Sequence, residues 1–114
     1  MRHTRYYSNK QEKSIADKFE GKPQINSGAF TFYKGDVKTD YFLFEAKTTT
    51  TSKESFSIKK EWLEKINKEA FPLKKIPVLA FRFEPDGKDY YIVDENTMKK
   101  LNLLLKGEQD GNTS

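Results

Sequence analysis

The chain of 114 residues has no cysteine and one histidine, His3. Without cysteine there is no disulfide framework and no thiolate to act as nucleophile or metal ligand, and a reducing compartment is compatible. A lone histidine at the start of the chain argues against a zinc site and against histidine acid–base catalysis. No apolar run approaches the roughly 20 residues of a membrane-spanning helix. The opening Met1-Arg2-His3-Thr4-Arg5 also lacks the apolar segment of a signal peptide. The expectation is a soluble, cytoplasmic protein with no membrane partner. No internal repeat is visible.

What is present is charge and aromatic character. Twenty-one basic and 17 acidic residues leave a net charge of +4 and a pI near 9.2. That excess fits a polyanionic partner without demanding one. The length allows a single domain with a core of modest size, expected over residues 1–107 with a disordered tail at 108–114. Sixteen of the residues are aromatic (nine Phe, six Tyr, one Trp), many for so small a core.

Turn and cap residues order the elements. Ser8, with Gln11 three positions on, forms a capping box for a first helix that Gly21 ends. Gly28 to Tyr33 reads as a strand with Phe30 and Phe32 on one face. Two hairpin strands follow, then a polar, hydroxyl-rich stretch, Thr48 to Ser55, expected to be a mobile loop. Ser57 is placed to cap a helix with the apolar stripe Ile58, Trp62, Leu63, Ile66 and Ala70. Pro72 and Pro77 bracket the way to a strand over Val78 to Phe83. Pro85-Asp86-Gly87 turns the chain into Tyr90 to Val93. Asp94 caps a last helix carrying Met98, Leu101, Leu104 and Leu105, with Gly107 as its stop. The order α-β-β-β-α-β-β-α defines an α/β fold.

The chemistry concentrates between Asp36 and Lys47. Tyr41-Phe42-Leu43-Phe44 is too short for a buried helix and three of its four residues are aromatic, so it reads as a strand. Alternate side chains of a strand share a face, which puts Glu45 and Lys47 together. With Thr39-Asp40 as a two-residue turn, Val37 faces Phe42 and Asp36 faces Leu43. Asp36 is then the diagonal neighbour of Glu45, about 7–8 Å away and within joint reach of one ion. The plain reading is a pair of solvated carboxylates at a hairpin end. Against it, a charge directly after four apolar residues on a covered strand needs a reason. Two carboxylates and a lysine on one strand pair suit a metal site for phosphodiester cleavage. With oxygen ligands alone, the natural ion is Mg²⁺, or Mn²⁺ in its place.

These pieces in this order resemble the PD-(D/E)xK nuclease superfamily, and within it the small Holliday junction resolvases of archaeal and phage type. The matching residues run roughly from Ser8 to Phe83: Lys10-Gln11-Glu12 on the opening helix, Ser27-Gly28-Ala29, Gly35-Asp36-Val37, Glu45-Ala46-Lys47 and a following basic helix. Gly35 stands where the superfamily name has proline, and the threonines after Lys47 depart from the pattern. The resemblance implies a restriction-endonuclease-like core, αβββαβ, with a mixed central sheet flanked by helices. It also implies a Mg²⁺-dependent endonuclease acting on branched DNA such as a four-way junction, in a host's cytoplasm if phage-encoded. A nuclease of the same fold not selective for junctions, or a non-catalytic nucleic-acid-binding module, are the competing readings.

Glu12 shares a helix face with Ile15, Ala16 and Phe19. By pattern alone it is a rim glutamate whose stem lies over the core. The resemblance makes it a third metal ligand and a catalytic residue beside Asp36, Glu45 and Lys47. In that set Lys47 holds or activates the attacking water and offsets charge building on the phosphate. Ser27 and Gly28 suit close approach to a phosphate, or equally an ordinary loop-to-strand turn. Lys38, Thr48, Lys59 and Lys60 are further candidates for DNA contact; Lys65 and Lys68, with Lys10, Lys13, Arg2 and Arg5, could also track phosphates. A charge-rich helix face is also what simple solvation produces. Two symmetric cuts at a junction call for two sites, hence a homodimer. Phe30, Phe32, Tyr33, Phe81, Phe83, Tyr90 and Tyr91 are the aromatic candidates for its interface, unless they fill the sheet's two faces.

Overall fold

The first helix, α1 (Thr4–Phe19), begins a turn earlier than Ser8 would have it start. The structure, a computed structural model, describes residues 4–23 and 36–113. Ser8 therefore lies inside α1, and Gln11 turns into the interior instead of closing a capping box; it is completely buried. The helix does end where Gly21 predicts. Glu20 takes a left-handed conformation (φ 55°), and the Gly21 N–H donates to the Ala16 carbonyl at 2.8 Å. A Cβ on Gly21 would stand 2.6 Å from Thr39 Cγ2 and 2.7 Å from the Lys38 carbonyl oxygen. Only glycine lets the chain pass this close to the next strand.

Five strands form one mixed sheet in the order β1 (Lys22–Pro23), β2 (Val37–Lys38), β3 (Phe42–Lys47), β4 (Ile76–Phe81), β5 (Tyr90–Ile92). Neighbours are antiparallel except β3 and β4, which run parallel. That pair needs a crossover, and α2 (Lys60–Leu73) supplies it. Among the described residues the fold is α/β, with three helices and one five-stranded mixed sheet. The first strand, however, is Lys22–Pro23; the expected strand at Gly28 to Tyr33, with Phe30, Phe32 and Tyr33, lies outside the described residues.

The sheet's alternation divides the interior. Val37, Phe44, Val78 and Ala80 meet Ile15 and Ala16 of α1, with Phe42, Ala46, Ile76 and Val93 packed around them. On the opposite face Leu43 packs with Ile66 and Ala70 of α2. The period of two along β3 thus sends Phe42, Phe44 and Ala46 toward α1 and Leu43, Glu45 and Lys47 toward α2.

Several boundaries move. Lys59, not Ser57, precedes the first turn of α2, and no side chain caps it. Pro72 lies within the last turn of that helix, which ends at Lys74 in a left-handed conformation (φ 56°). The fourth strand starts at Ile76, two residues early, because its N–H donates to the Tyr41 carbonyl at 2.8 Å. The segment Thr48 to Ser55 is tied down: Lys53 N–H and Thr49 Oγ1 both donate to the Phe83 carbonyl, at 2.8 and 3.2 Å. The turn at Pro85-Asp86-Gly87 forms as expected, closed by Gly87 N–H to the Glu84 carbonyl at 3.0 Å.

Asp94 caps the last helix, α3 (Glu95–Thr113), accepting the Thr97 N–H at 2.8 Å. The helix continues through Gly107 to Thr113, so the stop expected at Gly107 is not found. A glycine inside a helix costs about 1 kcal/mol, too little to end one by itself. Along α3, Met98, Leu101, Leu103, Leu104 and Leu105 are all exposed.

Candidate active site

The hairpin turn is Asp40-Tyr41, one residue later than expected. Thr39 N–H donates to the Phe42 carbonyl at 2.9 Å, and Thr39 Oγ1 accepts the Phe42 N–H at 2.9 Å. Tyr41, counted into the strand for its aromatic ring, is 71% exposed in the turn. Val37 consequently faces Phe44, and Lys38 faces Leu43. Moving the turn by one residue shifts the pairing by two, which keeps every side chain on its face. One more step in this register puts Asp36 beside Glu45, directly opposite it instead of on the diagonal. Their carboxyl groups interact through charge and at close range, and Asp36 Oδ2 accepts the Ala46 N–H at 2.7 Å.

Glu45 lies on the third strand of five and is only 5% exposed. Both of its oxygens face ammonium groups. Lys65 of α2 donates to Oε1 at 3.0 Å, and Lys47 Nζ stands 3.7 Å from Oε2. Lys47 is further placed by Trp62, whose ring centroid is 4.5 Å from its Nζ. That cation–π contact aims the ammonium along the strand toward Glu45. Lys65 also reaches Glu69 one helical turn on, at 3.6 Å. Lys65, one of the lysines expected to track phosphates, is instead part of the acidic centre. The stripe spacing of α2 is what turns Trp62 and Lys65 toward the sheet.

The electrostatics of this group are unusual for surface carboxylates. Burial, then the neighbouring Glu45 charge, pushes the Asp36 carboxyl up to about 8, against the opposing effect of the Ala46 N–H. Glu12, half-buried on α1, is pushed up to about 7, chiefly by burial; Arg5 works against the rise and Glu45 adds to it. Burial depresses Lys65, but Glu45 and Glu69 outweigh it and leave the ammonium above its usual value. Glu12 thus feels the pair through its charge. Among the described residues, however, no three acidic or imidazole side chains gather into a ready metal cage. The expected three-carboxylate set is reduced to a contacting pair, Asp36 and Glu45, with Glu12 behind it. Two carboxylates still fit Mg²⁺, which commonly takes one or two from the protein and completes its shell with water and substrate phosphate.

A second buried ionic group braces the first. Arg82, 4% exposed in its side chain, forks onto Asp89, whose side chain is fully buried; Nε–Oδ1 is 2.9 Å and Nη2–Oδ2 is 2.8 Å. Arg82 Nη1 also donates to the Pro85 carbonyl at 2.9 Å. Gln11 Nε2 donates to Asp89 Oδ1 and to the Lys47 carbonyl, both at 2.9 Å. Gln11 therefore ties α1 to the strand end that carries Lys47. The Ser8–Gln11 spacing suggests a cap for Gln11, and the sequence signal for this group is slight: Arg82 directly follows the apolar Val78–Phe81 run and Asp89 directly precedes Tyr90.

The remaining candidates are scattered. Lys38, Lys59 and Lys60 are exposed, with Lys59 Nζ 5.8 Å from the Trp62 ring centroid. The Thr48 hydroxyl donates to the Thr49 carbonyl at 3.2 Å. Ser27 and Gly28 lie outside the described residues. No family model matches this chain, and neither a curated protein nor a solved structure matches it. Among the described residues no helix is long and apolar enough to cross a membrane.

Proposed function

We propose that the protein is a Mg²⁺-dependent endodeoxyribonuclease of the restriction-endonuclease-like, PD-(D/E)xK type. The observation that carries this reading is the contact of Asp36 with Glu45 on neighbouring strands, with Lys47 Nζ 3.7 Å from Glu45 on the same face. Asp36 and Glu45 would hold the ion. When bound, Mg²⁺ supplies polarisation of the scissile phosphate and a lowered pKa for a bound water. Lys47, steadied by Trp62, would orient the attacking water and offset negative charge on the phosphate. Glu12 adds negative potential from α1 and favours retention of a cation. Mn²⁺ serves the same donors.

The substrate we favour is branched DNA, a four-way junction, cut by a homodimer of the resolvase kind. Exposed Lys38, Lys59 and Lys60 would contact backbone phosphates, Thr48 would line the approach, and Ser27 and Gly28 belong to the same proposed surface by resemblance. The dimer is supported by apolar surface, though of a different composition from that expected. Phe81, Phe83 and Tyr90 pack on one another with centroids 5.4 to 5.8 Å apart, Phe81 stacked on Tyr90 and Phe83 edge-on to both. Tyr91 packs on Phe19 and Phe44. The leucines of α3 are the larger uncovered group, and a second subunit would cover them.

Labelled four-way junction, matched duplex and single strand, each incubated with and without Mg²⁺, test the proposal. Junction cleavage that needs the ion is the expected result. Equal cutting of duplex and junction would leave a nuclease without junction selectivity. Binding without cutting under every divalent ion would favour a non-catalytic nucleic-acid module.

A further inference from the structure

Glu45 is the most enclosed carboxylate of the acidic centre, yet its two nearest cations come from different elements and differ in how they are held. Lys47 is on the same strand, partly covered, and lies against Trp62 at 4.5 Å. Lys65 comes from α2, its side chain is 56% exposed, and its tip alone reaches inward, to 3.0 Å from Oε1. The same ammonium has a second acceptor outside the centre, Glu69 Oε2 at 3.6 Å. A long, solvated side chain with two acceptors, one of them four residues on along its own helix, can leave one for the other at little cost.

From this geometry we infer that Lys65 is the resident counter-ion of the acidic centre, occupying Glu45 until a divalent cation displaces it onto Glu69. The inference rests on the nuclease reading, since it assigns Glu45 to the ion. An ammonium at hydrogen-bond distance from one carboxylate oxygen fills one of its lone-pair sites and offsets the charge that draws a metal there. Two cations held against one carboxylate repel each other, so metal and lysine compete. Lys65 is a positioning residue in this scheme: it acts through Glu45 and keeps the buried carboxylate paired while no metal is bound. Its withdrawal leaves a cation at the mouth of the site. Lys47, anchored on Trp62, stays in place throughout.

The test is binding of Mn²⁺ alone, without DNA, measured by calorimetry on wild type, Lys65→Gln and Lys65→Arg. Removing the competing positive charge should tighten Mn²⁺ binding in Lys65→Gln by about tenfold, while Lys65→Arg keeps wild-type affinity. Without metal, Lys65→Gln should melt at a lower temperature than wild type, and saturating Mn²⁺ should close that gap. If wild type binds Mn²⁺ and Lys65→Gln binds it equally or more weakly, the inference is overturned and the nuclease reading stands. If Asp36→Asn and wild type alike bind no Mn²⁺, the nuclease reading falls and takes the inference with it. Should Lys65→Gln not fold, Lys65→Met and the arginine variant carry the comparison; tighter binding to Lys65→Met than to Lys65→Arg supports the inference, and equal binding overturns it.

Discussion

Two groups of buried charge lie at the same end of the sheet, and they are built in opposite ways. Arg82 and Asp89 form a closed fork in which guanidinium meets carboxylate through two hydrogen bonds, with Pro85 and Gln11 taking further positions. Nothing in that fork is left for a ligand. Asp36 and Glu45 instead place two carboxylates against each other, and the cations that offset them are tips of long side chains reaching in from solvent. In the first arrangement each charge is answered by its partner, whereas the second costs stability, because like charges in a poorly solvated place repel. A group that costs stability in this way persists where something other than folding uses it. Burial of charge alone does not mark a site; unfinished neutralisation does.

The sharpest break of this comparison is catalytic. Asp36→Asn or Glu45→Gln should reduce Mg²⁺-dependent cleavage by on the order of 10³-fold, about 4 kcal/mol of barrier, while circular dichroism stays unchanged. Cutting at wild-type rates by either variant would dismiss the acidic pair as the active centre. The closed fork should respond the other way. Arg82→Met leaves Asp89 buried without its partner and should cost about 3–5 kcal/mol of stability. The double variant Arg82→Met/Asp89→Leu should recover part of that loss. Denaturant titration measures both, and a loss under about 1 kcal/mol would mean that the fork behaves as a surface pair.

A smaller effect separates the two groups by pH. In the folded state Asp36 releases its proton near 8, against 3.8 ordinarily. Between those values the folded chain holds a proton that the unfolded chain has lost, so this group lowers stability as pH rises through the window. Glu12, raised to about 7, acts with the same sign. Without metal, Asp36→Asn should therefore be more stable than wild type at pH 8, by about 1–2 kcal/mol, and the advantage should vanish toward pH 4. Mg²⁺ at pH 8 should stabilise wild type and not the variant. Denaturation curves across pH with and without Mg²⁺ read this directly, and a wild type that gains stability relative to Asp36→Asn as pH rises contradicts the assignment. The mildest expected change lies outside both groups: Lys59→Ala or Lys60→Ala should reduce the salt dependence of junction binding by about one unit of slope each. An unchanged slope would place the phosphates elsewhere.

How much of this was legible in the sequence differs from element to element. The facing of Glu45 and Lys47 follows from strand alternation, a local rule, and it held. The capping of α3 by Asp94 is equally local. Pairing of Asp36 with Glu45 on one face survived a misplaced turn, because a slip of two in pairing conserves the face. The turn itself is not legible, because Thr39 closes it with its hydroxyl while an aromatic Tyr41 looks like strand. Ser8 and Ser57 have the residue type of a cap, and in neither case does the helix begin there. Gln11 carried a cap's signature and spends its amide on Asp89 and the Lys47 carbonyl, 78 and 36 residues away.

Residue type, order and period by themselves determined an α/β chain whose third strand presents a carboxylate and a lysine on one face. These are properties of a strand's own geometry and need no knowledge of its neighbours. Tertiary structure alone decided that Lys65 and Trp62 of α2 close on that face, that Gln11 braces it from α1, and that Arg82 and Asp89 seal one ionic group while Asp36 and Glu45 leave another open. It also decided that Glu12 stands behind the pair instead of completing it. Charges interact through space with a strength set by distance and burial, and both quantities arise only when elements remote in sequence pack together.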